Sequence, residues 1–436
     1  MRQRHIFMFW LPLFGSWLLM AMEGPVITTV VSRLPEPVIM LAAVGIVLGL
    51  SVLIQSPIMN LLATSTAKVR DYETYLLVRR FTLHWIVFLT AVTALMAYTP
   101  LFDLLIIRGM GVSSDIAEWV RVGLRINVLW SAAVAWRRFL QGVLIRFNRP
   151  QTVVVGTVIR LITGALTAVS LMLFTDVPGI VVGSCTLQIA VIAEAIYATL
   201  VVRPLFRHEL VPQADSTVSL TYRDLFFFHL PLAGTAVLAL LVQPLAIFSL
   251  ARLANPTTSL AAWPVLFQIL FLSRAPAMAM PEVIIALNKN QETTAALFRF
   301  VGLVAAATLV GMFLFMVTPL ENFYLDVIQE VPASVGELVR EGVWLTLLFP
   351  FFGVVVFSLR GFLISQQLPH PVNSGMAINL AITALWLFLG LIFNWSGITT
   401  AALALTLAVF IETIYLVIQV RPIAKTQLEL EQAPLT

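Results

Sequence analysis

Eight charged side chains lie within long apolar segments of this sequence. They are five arginines and three glutamates, namely Arg137, Arg138, Arg160, Arg274, Arg360, Glu23, Glu194 and Glu412. In a bilayer each such side chain costs at least about 2.5–3.5 kcal/mol on insertion scales, so each needs a partner, water or a function. The surplus of arginine favours binding of an anionic or amphipathic anionic solute.

Helices must position these groups, because the chain is far too apolar for a soluble fold. Hydrophobic residues make up 60% of the 436 residues and charged residues only 11%. Apolar windows of about 20 residues recur along the chain, and each can cross a hydrocarbon core about 30 Å thick. We interpret these windows as twelve helical spans, at 6–32, 38–63, 80–99, 120–145, 151–175, 178–201, 224–251, 258–286, 297–318, 340–365, 371–394 and 397–420.

The depth of the charges in these spans predicts two ion pairs. Arg137, Arg138, Arg160 and Glu194 all lie about nine or ten residues from one end of their helices, roughly 13–17 Å deep at about 1.5 Å per residue. In the second half Arg360 and Glu412 repeat the arrangement, with Ala381 where Arg160 would be. Buried ions are usually paired. We therefore predict structural pairs of Arg137 with Glu194 and of Arg360 with Glu412.

The other candidates are assigned to substrate binding or ion coupling. Arg138 and Arg160 leave the first half with excess positive charge, and Arg160 lacks a counterpart, so both are candidate substrate-binding residues. Arg274 and Gln55 precede mid-helix prolines, which free backbone groups; Arg274 either faces a cavity or pairs with Glu282 or a carbonyl. Two further binding candidates are Gln243, which precedes Pro244, and Asn127, on a polar stripe of its helix that is either a cavity wall or a helix contact. Glu23 lies beside Gly24-Pro25, and its protonation could couple transport to protons.

The two halves of the sequence repeat each other in the same orientation. The segment from Glu194 to Leu205 matches Glu412 to Ile423 at six of twelve positions, at an offset of 218. At an offset of 219, Pro25, Pro57 and Arg80 fall on Pro244, Pro276 and Arg299. Parallel repeats in an apolar chain are typical of secondary transporters. We predict an N-terminal lobe of six helices at 1–205, a linker at 206–223, a C-terminal lobe at 224–420 and a cytoplasmic tail at 421–436.

Cation placement predicts the topology. If both termini are cytoplasmic, fifteen of the 26 Lys and Arg lie on the inside and the longest outside loop is acidic, as the positive-inside rule requires. We expect a multi-pass protein of the plasma (inner) membrane, acting as a monomer. The histidines show no metal-ligand spacing, and no nucleotide-binding or cofactor motif occurs. Basic residues form no single face, which argues against a nucleic-acid partner.

Several motifs resemble the multidrug and toxic compound extrusion (MATE) family and its wider MOP flippase superfamily. They run from Leu41 through Gly45 to Pro57 and from Arg137 through Gly142 to Pro150, the latter repeated from Leu359 to Pro371. Leu230-Pro-Leu-Ala233 with Gln243-Pro244 also resembles the progressive ankylosis branch, whose members are associated with export of pyrophosphate, nucleotides or citrate. The aspartate that extrusion proteins carry in the first helix is absent, since Ile27 stands at that position.

The combined expectation is an all-α membrane protein with twelve transmembrane helices in two pseudo-symmetric, MATE-like bundles. It would export a small organic solute by alternating access, coupled to H⁺ or Na⁺, with a preference for an anion. The alternatives are a flippase for a lipid-linked precursor and a cationic multidrug antiporter. The chain lacks the clustered carboxylates and motifs of an enzyme, and its loops are too small for a receptor or scaffold.

Overall fold

The structure is a computed structural model that describes residues 3–147, 149–205, 220–288, 291–366 and 368–432. These residues are overwhelmingly α-helical and contain no β-strand. The α-helices, numbered in chain order, are α1 Gln3–Ala21, α2 Glu23–Ser32, α3 Pro37–Gln55, α4 Leu61–Lys68, α5 Tyr72–Tyr98, α6 Ser114–Ile126, α7 Trp130–Arg146, α8 Pro150–Phe174, α9 Gly179–Leu205, α10 Tyr222–Leu240, α11 Val242–Leu250, α12 Pro256–Ser273, α13 Ala275–Met278, α14 Met280–Leu287, α15 Gln291–Val317, α16 Leu320–Asn322, α17 Ala333–Leu345, α18 Phe349–Ser365, α19 Pro369–Phe393 and α20 Gly397–Gln432.

Apart from the short α16, these helices group into twelve segments at the predicted positions. Within the described part of the chain ten helices are long and apolar enough to cross a membrane, and the pair α17 and α18, bent by 51°, adds an eleventh. The remaining predicted span, 120–145, corresponds to α6 and α7, which are separated by a 3₁₀ turn at Asn127–Leu129. The predicted all-α class is confirmed, with several spans broken into shorter helices. The predicted linker lies largely outside the described residues, and so do the last residues of the predicted tail.

Local sequence signals explain many helix starts. Asp71 with Thr74 and Thr221 with Asp224 form reciprocal capping boxes before α5 and α10. Prolines stand in the first turn of α3, α8, α12 and α19, where the missing N–H costs nothing. Glu36 and Asn255, at equivalent positions of the repeat, both adopt positive φ just before these prolines.

Packing divides the chain into two compact units. We call Glu23–Arg252 the N-terminal unit, and the described residues of Met1–Met22 and Leu253–Thr436 the C-terminal unit. This grouping differs from the predicted lobes because α1 packs on α12 to α15, whereas α10 packs on α3, α4 and α5. The first helix of each sequence repeat thus packs with helices of the other repeat. The predicted lobe boundaries describe the duplication in the sequence and stay a prediction.

Within each unit, close helix contacts form at glycines of the repeat. A Cβ on Gly123 of α6 would lie 2.7 Å from Val47 and 2.9 Å from Ile180, so α3, α6 and α9 meet at this point. In the C-terminal unit Gly342 meets Leu266 and Ile398 in the same way. These contacts fix the helices that carry the buried charges.

Candidate functional site: buried charges in each unit

Glu194 on α9 is the centre of a buried polar cluster in the N-terminal unit. Its Oε2 accepts a hydrogen bond of 2.9 Å from Arg137 Nη1, and its Oε1 accepts one of 2.9 Å from Gln141 Nε2. The guanidinium of Arg160 lies 3.6 Å from Oε2. Glu194 and both arginines are at most 5% exposed. A carboxylate this deep is tolerated because three side chains from two neighbouring helices face it.

Glu23 extends this cluster. Its Oε2 lies 3.3 Å from Arg160 Nη2, and its side chain is one-fifth exposed. Arg160 therefore lies between the two carboxylates, Glu23 and Glu194. The candidate coupling residue and the candidate substrate-binding residue thus contact each other, which helix depth alone does not indicate.

The C-terminal unit holds a smaller version of the cluster. Glu412 Oε1 accepts hydrogen bonds from the Nε of Arg360, at 2.8 Å, and from its Nη2. Its Oε2 accepts one of 3.0 Å from Asn379 Nδ2. Both predicted arginine–glutamate contacts thus occur in the structure, while their role stays a prediction.

The equivalences within this cluster differ from those predicted. Both α8 and α19 begin with proline, at 150 and 369, and Gly156 and Gly375 approach Glu194 and Glu412 in the same way. This offset of 219 places Asn379, and not Ala381, at the position of Arg160. Gly142 and Gly361 are related by the same offset, which makes Arg360 equivalent to Gln141 and not to Arg137. The prediction of Ala381 was wrong because it used His370-Pro371 as the reference point.

Two arginines have no carboxylate within ion-pairing distance among the described residues. Arg138, next to Arg137 on α7, makes no hydrogen bond or ion pair there, and its Nε is buried without a partner. Arg274 lies over the rings of Phe349 and Phe357, at 4.9 and 5.3 Å from their centroids, and its Nε is also buried and unpartnered. Glu282, the predicted alternative partner of Arg274, is exposed and forms no ion pair with it.

The remaining candidates lie in the N-terminal unit. Gln55 ends α3 and is buried with its Oε1 unpartnered, and Asn127 is buried with neither amide atom hydrogen-bonded within the described residues. Asn127 lies one turn beyond Gly123. Ser51 and Ser184 lie one turn beyond Val47 and Ile180, the two residues that Gly123 contacts. Gln243 lies on α11 beside Gly49 of α3.

The predicted substrate-binding set is therefore divided between the units. Gln55, Asn127, Arg138, Arg160 and Gln243 belong to the N-terminal unit and Arg274 to the C-terminal unit. In the part of the chain that is described, no group of three His, Cys, Asp or Glu side chains could hold a metal ion. The chemistry available is ion pairing and hydrogen bonding by guanidinium and amide groups.

Comparison with solved structures identifies the fold. The chain is similar to an inward-facing MATE-family multidrug resistance transporter of the MOP superfamily, with TM-score 0.70, 12% identity, and 94% and 96% of the two chains covered. It is also similar to the lipid II flippase MurJ in an inward closed conformation, with TM-score 0.72, 14% identity, and 94% and 87% covered. A third neighbour is a MOP-superfamily transporter from Pyrococcus furiosus described as having a binding pocket of reversed polarity, with TM-score 0.60, 10% identity, and 98% and 96% covered.

These similarities show that the chain has the MATE-type fold, and its long apolar helices are those of a multi-pass membrane protein. The structural resemblance stated from the sequence motifs is confirmed at the level of the fold. No protein-family model matches the sequence, and no curated protein matches it significantly.

Proposed function

We propose that this protein is a secondary active transporter that exports a small organic anion by alternating access, coupled to H⁺ or Na⁺. The observation that carries the proposal is the excess of guanidinium groups over carboxylates in the membrane-spanning helices. The three glutamates engage Arg137, Arg160 and Arg360, and no carboxylate contacts Arg138 or Arg274 in the described residues.

An unpaired arginine inside a membrane protein needs a reason, because its burial is costly. Arg274 obtains part of its stabilisation from two aromatic rings, but its hydrogen-bond donors still require acceptors. A carboxylate or phosphate solute supplies them in the planar geometry that guanidinium matches best. The neighbour from Pyrococcus furiosus supports the view that pockets in this fold differ in polarity.

The finer features of the proposal come from the sequence. Glu23 is the proposed coupling residue, since its protonation would remove the pair with Arg160. Export, a monomeric state, the plasma membrane and cytoplasmic termini follow from the resemblance and from the distribution of cations. Gln55, Asn127 and Gln243 are proposed to contribute amide hydrogen bonds to the solute.

The proposal is tested by uptake of labelled citrate, pyrophosphate and ATP, and of the cation ethidium, into proteoliposomes. We expect at least one anion to be transported. Arg138→Gln and Arg274→Gln should each raise KM by about tenfold or more, because a charge-assisted hydrogen bond contributes about 1.5–3 kcal/mol. Arg160→Gln should also reduce transport.

The control is Arg121→Gln, which removes an arginine that pairs with Asp103 on a partly exposed surface. Its transport of the anion should stay close to that of the unsubstituted protein. Transport of ethidium alone, unaffected by Arg138→Gln and Arg274→Gln, would instead support the cationic multidrug antiporter.

A second function, flipping of a lipid-linked precursor, is favoured by an apolar groove in the C-terminal unit. The groove has a volume of about 600 Å³ and lies between α1, α12 and α15, lined by Trp10, Phe14, Phe300, Phe315 and neighbouring apolar residues. A polyprenyl tail would fit such a surface, and MurJ shares the fold. Reconstituted flipping of a fluorescent polyprenyl diphosphate, lost in Gly311→Trp but retained in Arg274→Gln, would support this function over anion export.

A further inference from the structure

Two aromatic side chains at equivalent positions of the repeat hold broken helices in the same way. Trp10 and His229 are separated by 219 residues, and so are Pro57 and Pro276. Trp10 Nε1 donates a hydrogen bond of 3.1 Å to the carbonyl oxygen of Pro276, within the C-terminal unit. His229 Nε2 forms a bond of 2.9 Å with the carbonyl oxygen of Pro57, within the N-terminal unit. We call these contacts the indole clamp and the imidazole clamp.

Both acceptors lie where a helix is interrupted. In the N-terminal unit α3 ends at Gln55 and α4 begins at Leu61, with a 3₁₀ turn at Ser56–Ile58 between them. Carbonyl groups at such breaks lie outside the regular hydrogen-bond pattern and accept bonds from neighbouring elements. Asn60 of the same break donates a bond of 2.6 Å to the carbonyl oxygen of Leu232 on α10. The imidazole clamp thus attaches α10 to the flexible point of the α3–α4 span.

The surroundings of His229 are closed and nearly apolar. The residue is fully buried, and its ring meets Phe81 and Trp85 edge-on at centroid distances of 5.3 and 5.8 Å. Its Nδ1 lies 2.8 Å from the hydroxyl of Thr64, which in turn lies 3.1 Å from the carbonyl oxygen of Asn60. Since the Pro57 carbonyl can only accept, Nε2 carries the proton and Nδ1 of the neutral ring accepts from Thr64.

No charged side chain contacts the imidazole in the described residues. The elements that pack on α10 are α3, α4, α5, α11 and the turn at Ser56–Ile58, and α3, α11 and the turn contain no ionisable residue. Besides His229, the ionisable residues of the other two elements and of α10 itself are Lys68, Tyr72, Glu73, Tyr75, Arg79, Arg80, His84, Tyr98, Tyr222, Arg223 and Asp224. Of these, Lys68 lies over Phe228, His84 bonds to Tyr222, and the carboxylate of Asp224 accepts hydrogen bonds from Thr221 at the start of α10.

We propose that His229 is a proton-binding site that controls the attachment of α10 to the break between α3 and α4. The neutral ring satisfies both of its nitrogens in the clamp. A proton on the fully buried ring would create a cation with no carboxylate in contact with it among the described residues, which is unfavourable. The proton is therefore bound when the ring leaves the clamp and reaches water, where an imidazole titrates near pH 6.5, as a rough reference.

The indole clamp cannot respond in this way, because an indole N–H does not titrate in this range. Only one of the two equivalent clamps is sensitive to protons, so a proton would act on one unit alone. The released form should gain about tenfold over the clamped form for each pH unit below about 6.5. Only the role of this site in transport rests on the proposed function, because proton binding and the release of α10 can be measured without transport.

The test measures the distance between spin labels on α5 and α10 in nanodiscs from pH 5 to pH 8. Leu83 and Phe227 are exposed positions for the labels, and Cys185→Ser removes the native thiol. We expect a longer distance to become populated below about pH 6.5. His229→Trp copies the indole clamp and His229→Gln retains a donor for Pro57, so either variant should keep the short distance at every pH.

The control is His84→Gln, the exposed histidine bonded to Tyr222, which should leave the pH response unchanged. The proposal is overturned if both His229 variants still show the change, if His84→Gln abolishes it, or if the unsubstituted protein shows none. In transport assays the His229 variants should flatten the pH profile, whereas a profile that is flattened only by Glu23→Gln would show that the imidazole clamp does not affect transport. A pH-dependent distance in a protein that moves no solute would refute the proposed function and leave the proton site standing.

Discussion

At the scale of single residues, Glu321 is a carboxyl group held in an unfavourable environment outside the spans. It lies in α16 and is only 5% exposed, and its Oε1 has no partner among the described residues. Burial raises the pKa of Glu321, the guanidinium of Arg340 opposes this, and Asp326 adds to it. Arg340 is itself engaged by both carboxylate oxygens of Asp326, at 2.7 and 2.8 Å.

This raised pKa predicts that the protein loses stability as pH rises. Between the unfolded pKa, about 4.3, and the higher folded pKa, the unfolded chain binds fewer protons, so the free energy of unfolding falls with increasing pH. Glu321→Gln should remove this fall and raise the melting temperature at pH 7. Thermal unfolding in detergent from pH 4 to pH 8 measures it. Asp326→Asn removes a neighbouring carboxylate that adds to the raised pKa of Glu321, so it should make this fall in stability smaller, and a larger fall would contradict the assignment.

Part of the site could be predicted at this scale and part could not. Counting residues from the helix ends placed Arg137, Arg160 and Glu194 at one depth, and the structure brings them into contact. Depth says nothing about which way a side chain points around its helix axis. For this reason the lack of a partner for Arg138, and the contact between Glu23 and Arg160, were not predictable.

At the scale of helices, glycines set how closely neighbouring spans approach. A Cβ on Gly142 of α7 would lie 2.4 Å from the carbonyl oxygen of Leu62 on α4. On Gly361 of α18 it would lie 2.7 Å from Cα of Pro281 on α14. Both obstacles are backbone atoms, which cannot rotate away as a side chain does.

We therefore expect Gly142→Ala and Gly361→Ala to be destabilising by about 1–3 kcal/mol, the usual cost of overpacking. The yield of monodisperse protein and its melting temperature measure the effect. Gly302→Ala on α15 is the matched control, since a Cβ there meets nothing within 4 Å and alanine is the better helix former. A stable Gly142→Ala protein would show that α4 and α7 can separate without cost.

The positions of the spans followed from hydropathy, but the breaks within them did not. The prolines at 57 and 276 indicate two of the breaks. The 3₁₀ turn at Asn127–Leu129 has no proline or glycine, and it arises where α6 and α7 pack on α3, α5 and α9. Such a break is decided by tertiary contacts that a single sequence does not contain.

At the scale of the whole molecule, the repeat keeps two glutamates but surrounds them differently. Glu194 faces two guanidinium groups and an amide, whereas Glu412 faces one guanidinium and an amide. The side chain of Arg360 is 18% exposed, compared with 6% for those of Arg137 and Arg160. The two halves therefore have the same framework with unequal electrostatics.

This inequality predicts unequal sensitivity to loss of the carboxylate. Glu194→Gln leaves the buried Arg137 without a counter-charge and Arg160 with Glu23 alone, and should cost about 3–5 kcal/mol. Glu412→Gln should cost less, because Arg360 retains contact with solvent and with the ring of Phe357. Melting temperatures in one detergent compare the two variants. Asp103→Asn, in a partly exposed pair, should change stability by less than about 1 kcal/mol, and equal losses for the two glutamates would contradict this account.

The exchange of first helices between the repeats also has a consequence for biosynthesis. Trp10 finds its partner Pro276 only 266 residues later in the chain. At a synthesis rate of roughly 5–20 residues per second, α1 waits about 13–50 s beside the ribosome's exit site before the helices that cover it exist. During that interval its apolar surface depends on lipid or on the insertion machinery for shelter, so α1 can join the C-terminal unit only after α12 to α15 have been made.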